Sequence, residues 1–126
     1  MYERDVLMRQ LTVFLERLSE FLSKKSIQTI NKEDVEPFYS EMLEIERDRI
    51  VDLNLSDILE KFTAYEKLRI LAELFYVEAL SEQAIDRKKL AKKSLQLFHY
   101  LNEYTKTFDF DIMKKIDNLS LIMKCE

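Results

Sequence analysis

Thr63–Leu80 reads TAYEKLRILAELFYVEAL, and the reading of this stretch decides the fold. At 100° per residue, Glu66, Lys67, Arg69, Glu73 and Glu78 fall on one half of a helical wheel. Ile70, Leu74, Tyr76 and Val77 sit among those charges, and the opposite half is wholly apolar. A helix apolar nearly all round is one that neighbours pack on more than one side. The stretch therefore predicts a central buried helix in an all-α protein. Thr63 and Glu66 stand at the S/T-x-x-E spacing of a capping box, which predicts its start.

The flanking segments supply the neighbours. From Glu3 to Ser23, Leu7, Leu11, Phe14, Leu18 and Phe21 step by fours and threes, the period of a core-facing helix, with Leu15 and Leu22 widening the stripe. A thinner stripe of Tyr2, Val6 and Val13, bordered by Arg9 and Arg17, lies away from that face and suits either another helix or a second copy of the chain. Lys24–Lys32 lacks a period and reads as a loop. A second helix is expected from an Asp34 cap, with Pro37 in its first turn and an end between Arg47 and Ile50. Its inner face would be Val35, Phe38, Met42 and Ile45, beside Tyr39 and Leu43. Ser56 would cap a short helix, Asp57–Phe62.

After the central helix, Leu90, Ser94, Leu97, Leu101, Tyr104 and Phe108 mark a helix from about Asp86 to Thr107. Ile112, Ile116, Leu119 and Met123 mark a last one, starting at Asp109 or Asp111. No segment alternates long enough for a strand. The expectation is one domain over residues 1–126, with five to six antiparallel helices: N-terminal helices in 1–62 and a hairpin-containing part in 63–126.

Composition narrows the function. The 126 residues include no Gly, one Pro, one Cys and one His, with a net charge of −4. Without glycine, neither a phosphate-binding P-loop nor a dinucleotide-binding fingerprint can form. A single Cys125 excludes an intrachain disulfide and a multi-cysteine metal site. The opening MYERDVLMR is charged where a signal peptide is apolar, so a cytoplasmic, membrane-free location is expected. No cofactor or metal is expected. His99 falls opposite Leu90 and reads as a solvated side chain, and Gln96 stands where a Glu-x-x-His di-iron motif would need glutamate. Glu41, Glu44 and Asp48 share a wheel face, which reads as a solvated stripe.

Charge is unevenly spread. Asn31–Glu60 holds ten acidic residues against Lys32, Arg47 and Arg49, whereas Ala84–Lys106 holds six basic residues against Asp86 and Glu103. Arg87, Lys88, Lys89, Lys92 and Lys93 crowd the first turns of the Asp86–Thr107 helix, where the helix dipole disfavours cations. Water, Asp86 and the acidic segment could compensate, or an acidic partner could. Nucleic acid is the weaker candidate for a chain of net charge −4 with no recognised binding motif.

Two resemblances bear on the fold. Leu68, Leu71, Ala72 and Phe75, then Ala91, Leu95 and Phe98, are similar to the two helices of a single degenerate tetratricopeptide unit. Ala72 replaces the usual Gly, the connection is longer and no Pro follows. YERDVLMR (2–9), with DLNLSDIL (52–59) and KLRILAEL (67–74), resembles a bacterial family of uncharacterised all-helical proteins that open Tyr-Glu-Arg-Asp. That resemblance implies a tetratricopeptide-like helical stack and brings no activity.

The functional expectation is a non-enzymatic protein–protein interaction module. Its partner, an unknown protein or acidic peptide, would bind the groove beside the central helix and the next one through Arg69, Tyr76, Lys92, Lys93, His99 and Tyr100. The alternative is a homodimer joined through the first helix by Tyr2, Val6, Arg9, Val13 and Arg17. A helical enzyme is the remote third, because no catalytic motif supports it.

Overall fold

In the computed structural model the backbone is described over residues 2–105 and 109–124, with side chains from Asp5 onward in those ranges. Every regular element there is helical. They are α1 (Tyr2–Lys24), a 3-10 turn (Ile27–Thr29), α2 (Lys32–Phe38) running into a π turn (Tyr39–Leu43), and α3 (Arg47–Val51). Then come α4 (Leu55–Lys61), α5 (Tyr65–Leu80), α6 (Arg87–Thr105) and α7 (Phe110–Lys124). No strand occurs among the described residues. No helix among them is long and apolar enough to cross a membrane.

The all-α expectation holds, but among the described residues the α-helices number seven rather than five or six. The extra break lies in the acidic segment, where three local features beat the apolar period. Asn31 accepts a hydrogen bond from the Asp34 amide at 3.1 Å, and Asp34 accepts one from the Asn31 amide at 3.0 Å. This reciprocal box starts α2 earlier than an Asp34 cap would and places Pro37 inside the helix instead of in its first turn. Proline has no N–H for the carbonyl one turn back, and the helix widens into the π turn directly after it. Glu44, at φ 54° and ψ 40°, then stops the helix in the left-handed conformation. It is the one positive-φ residue among those described, standing where glycine would ordinarily go. Asn54, rather than Ser56, caps α4 by accepting from the Asp57 amide at 2.9 Å.

α5 is the buried centre that its pattern predicts. Leu68 to Ala79 is buried without interruption, packed by α1, α2, the 3-10 and π turns, α6 and α7. The Thr63–Glu66 capping box does not form. The helix starts one residue late, with Ala64 at the cap position and no side-chain cap, and Glu66 is turned into the protein at 1 % exposure.

α6 returns antiparallel to α5. Arg87 Nε donates to the Ala79 carbonyl at 2.7 Å, Ser94 Oγ to the Ala72 carbonyl at 2.9 Å, and Tyr104 stacks on Tyr65. Ala72, Ala79, Ala91 and Ser94 are fully buried, and their small side chains let the two backbones approach. α7 lies parallel to α5, because its contacts advance with α5 at a constant offset: Arg69 to Asp111, Glu73 to Lys115, Tyr76 to Asn118. On the far side Phe14 and Leu18 of α1 are buried, with Phe14 and Phe21 packed edge-on against Phe38 at 5.8 and 5.9 Å. Ile112, Ile116 and Leu119 carry the inner face of α7, as expected.

Candidate functional site

The charges of α5 are internal. Arg69 is 8 % exposed and donates from Nε to Glu73 at 2.9 Å and from Nη2 to Asp111 at 2.9 Å. Glu73, at 2 % exposure, also accepts from Lys115 Nζ at 2.6 and 2.7 Å. Lys115 closes the ring onto Asp111 at 2.8 Å and lies 5.5 Å over the Tyr76 ring. Burial alone would raise the Asp111 pKa, but Lys115 and Arg69 overcome it and hold the carboxyl below its ordinary value. Burial likewise pulls on Arg69, and Glu73 with Tyr65 more than restores it. Tyr76 is buried, its hydroxyl accepting from Asn118 at 2.9 Å. Arg69 and Tyr76, expected on a binding groove, are instead covered by α7, and they serve to dock it.

A second buried carboxylate joins α5 to the N-terminal half. Tyr39 donates its hydroxyl proton to Glu78 at 2.5 Å, and Arg47 Nε donates to the other oxygen at 2.7 Å. Burial raises the Glu78 pKa against the opposing pull of Tyr39 and Arg47. Burial and the Glu78 charge push the Tyr39 phenol well above its ordinary value. Arg47 and Glu78 line a depression of about 410 Å³ together with Glu33, Asp48, Asp86 and the 97 %-exposed Ile85, while Tyr39 stays buried behind them. With both oxygens of Glu78 satisfied, the geometry is that of a structural pin.

α6 shows the opposite arrangement. Lys89, Lys92, Lys93, Gln96, Tyr100 and Tyr104 share one face of it. A shallow groove of about 240 Å³ is lined there by Asn54, Leu55, Lys89, Lys92, Lys93 and Gln96. Part of the basic cluster has an internal explanation. Arg87 serves the last turn of α5, Lys89 pairs with Asp52 at 2.9 Å, and Lys93 Nζ donates to the Leu53 carbonyl just beyond α3. These cations sit at the N-terminus of their own helix because they serve the C-terminal ends of others. Lys89 holds Asp52 below its ordinary pKa. Burial first, and then the neighbouring Lys89 and Lys92 charges, lower the Lys93 pKa against the pull of Asp52. Lys92 and His99 are exposed. Tyr104, expected in the core, is 61 % exposed, because α5 begins at Tyr65 and offers only the face of that ring. Tyr65, Tyr104 and Tyr100 form a stack with centroid separations of 6.5 and 6.1 Å and interplanar angles of 26° and 28°.

The α1 face is a third feature. Val6 and Val13 are 38 % and 41 % exposed, and with Arg9, Gln10 and Met42 they line an apolar depression of about 230 Å³. Arg17 is drawn off that stripe: it pairs with Glu41 at 2.7 Å and lies 5.6 Å over Phe38. The Tyr2 side chain, Phe108 and Cys125 lie outside the described residues. Glu41, Glu44 and Asp48 do not share a face, since the helix ends at Glu44 and Asp48 pairs with Arg47 at 2.9 Å. Among the described residues no group of three or more His, Cys, Asp or Glu side chains is placed to hold a metal ion.

No family model, no curated protein and no solved structure matches this chain. Of the residues expected to meet a partner, Lys92, Lys93 and Tyr100 come together on α6, with His99 at their edge. Sequence reasoning missed Gln96, Tyr65 and Tyr104 beside them. The i, i+4 spacing of Tyr100 and Tyr104 could have signalled a shared face.

Proposed function

We propose that this protein is a non-enzymatic, tetratricopeptide-like helical interaction module of the cytoplasm that holds an acidic partner segment on the open face of α6. The observation that carries the reading is the groove between α4 and α6. Three lysines crowd one wall of it, and the Lys93 ammonium is disfavoured both by burial and by its basic neighbours. A carboxylate placed there relieves that repulsion with charge-assisted hydrogen bonds. The antiparallel α5–α6 pair, with Ala72 and Ser94 at close approach, supports the tetratricopeptide-like part of the reading. Titration of a fluorescent Asp/Glu-rich peptide by anisotropy tests it. Binding should weaken steeply with salt and vanish when Lys88, Lys89, Lys92 and Lys93 are all replaced by Ala; unchanged affinity in that variant contradicts the reading.

The second reading, a homodimer through α1, is favoured by the exposure of Val6, Met8 and Val13 on one short helix stretch. Light scattering over a range of concentrations decides it, and a strict monomer sinks it.

A further inference from the structure

The basic groove and the tyrosine stack are ends of one strip along α6, and the chemistry of the strip changes along its length. Lys89, Lys92 and Lys93 hold its first half. Tyr100 and Tyr104 hold its second, braced by Tyr65 from α5. At the tyrosine end the lysines give way to a carboxylate. Glu103 is exposed there, whereas Asp109 and Asp111 are already paired with the Arg69 guanidinium at 3.6 and 2.9 Å, whose Nη1 also reaches the Tyr65 hydroxyl at 3.4 Å. A uniformly acidic ligand is attracted to one end of this strip and meets the Glu103 carboxylate at the other. A nucleic-acid strand, with phosphates at every step, meets the same carboxylate.

Building on the acidic-partner reading, we propose that the α6 strip recognises a bipartite peptide, in which a cluster of Asp or Glu on the lysines is joined to an aromatic residue that packs on the Tyr65–Tyr104–Tyr100 stack. The stack is already formed, so an incoming ring meets rigid aromatic surface at low entropic cost. Lys93 and Tyr104 are about 16 Å apart along the helix at 1.5 Å per residue. An extended peptide at about 3.3 Å per residue spans that with about five residues. The lysines at one end and Glu103 at the other set the direction, because the acidic part of the ligand is drawn to the lysines.

Three peptides measured by anisotropy on the intact chain test this: an acidic cluster with Phe five positions on, the same peptide with Ala for Phe, and one with an acidic cluster at both ends around Phe. The first should bind about tenfold more tightly than the second. Tyr104→Ala should remove that advantage and leave the Ala peptide unchanged. The peptide acidic at both ends should fall to the level of the Ala peptide. Equal affinities for the first two on the native chain overturn the bipartite site. If Lys92→Glu still weakens both, the acidic-partner reading survives that failure; if none of the peptides binds, both readings fall. A single-stranded oligonucleotide that binds more tightly than the Phe peptide and loses affinity in Tyr104→Ala also overturns the peptide as occupant.

Discussion

Glu73 on α5 and Lys92 on α6 look alike in the sequence, each a charged residue on a helical wheel. One is 2 % exposed and held by two cations, and the other faces water. The contrast extends to the whole helices. Arg69, Glu73 and Glu78 of α5 find partners on α3 and α7, so its charges fasten the neighbouring helices to the centre. On α6 the buried face is carried by Leu90, Ala91, Ser94, Leu97, Phe98 and Leu101, leaving the lysines and tyrosines of the other side to meet solvent or a partner. Charge on a helix therefore reports function only once its depth is known.

The largest effect that can break this contrast is at Glu73. Its replacement by Ala strands Arg69 and Lys115 without their shared carboxylate and should cost about 3–5 kcal/mol in urea unfolding. Adding Lys115→Ala should recover part of that loss, since it removes one stranded charge. A loss under about 1 kcal/mol, the range of an exposed pair, would mean that Glu73 is solvated after all.

Glu78 comes next. Glu78→Gln keeps a partner for Tyr39 but removes the charge facing Arg47, and a loss of about 1–3 kcal/mol is expected. The pH dependence carries the sharper signature. Glu78 binds its proton more tightly folded than unfolded, so its contribution falls as pH rises from the ordinary carboxylate value to the raised one. Asp111 and Asp34, both lowered, work the other way: their contribution grows as pH rises from their depressed values to the ordinary one. Asp34 owes its shift first to the Lys25 ammonium at 2.6 Å and then to the Asn31 amide. Urea midpoints across the acid range should keep the Asp-driven rise in Glu78→Gln and lose the opposing fall.

Two smaller changes leave the buried pairs intact. Glu44→Gly relieves a left-handed residue that costs about 1–2 kcal/mol, less the extra backbone entropy of glycine, for a net gain of about 0.5–1 kcal/mol in thermal or urea unfolding. Lys92→Ala should alter stability by less than about 0.5 kcal/mol. If it proved as destabilising as Glu73→Ala, the division between the two helices would collapse.

Much of this architecture was legible in the residues. The repeating fours and threes gave α1, α6 and α7, and the nearly all-apolar wheel gave α5 its central place. Of the two expected starts of the last helix, Asp109 or Asp111, the structure favours the first: Asp109 accepts from the amides of Asp111 and Ile112 at 2.9 and 3.2 Å. Breaks and caps were less legible because they turn on competition between adjacent candidates. Asn31 outcompeted Asp34 for one cap, Asn54 outcompeted Ser56 for another, and an unassisted Glu44 took the left-handed position. Least legible was the fate of charge. Arg69 and Glu73 pair with each other at i, i+4, but their further partners Asp111 and Lys115, like Arg47 for Glu78, lie on other helices at separations that no helical period encodes, so two residues expected on a binding groove turned out to dock α7. On α6, by contrast, Lys92, Lys93 and Tyr100 share a face because local spacing alone places them together.

An amide-resolved NMR titration of the isotopically labelled chain with the acidic-then-aromatic peptide tests the division between α5 and α6 most directly. Shift changes should run along α6 from Lys89 to Tyr104 and onto Asn54 and Leu55, while Leu68 to Ala79 of α5 stay still. Shifts centred on Val6 to Val13, or spread through α5, would contradict it.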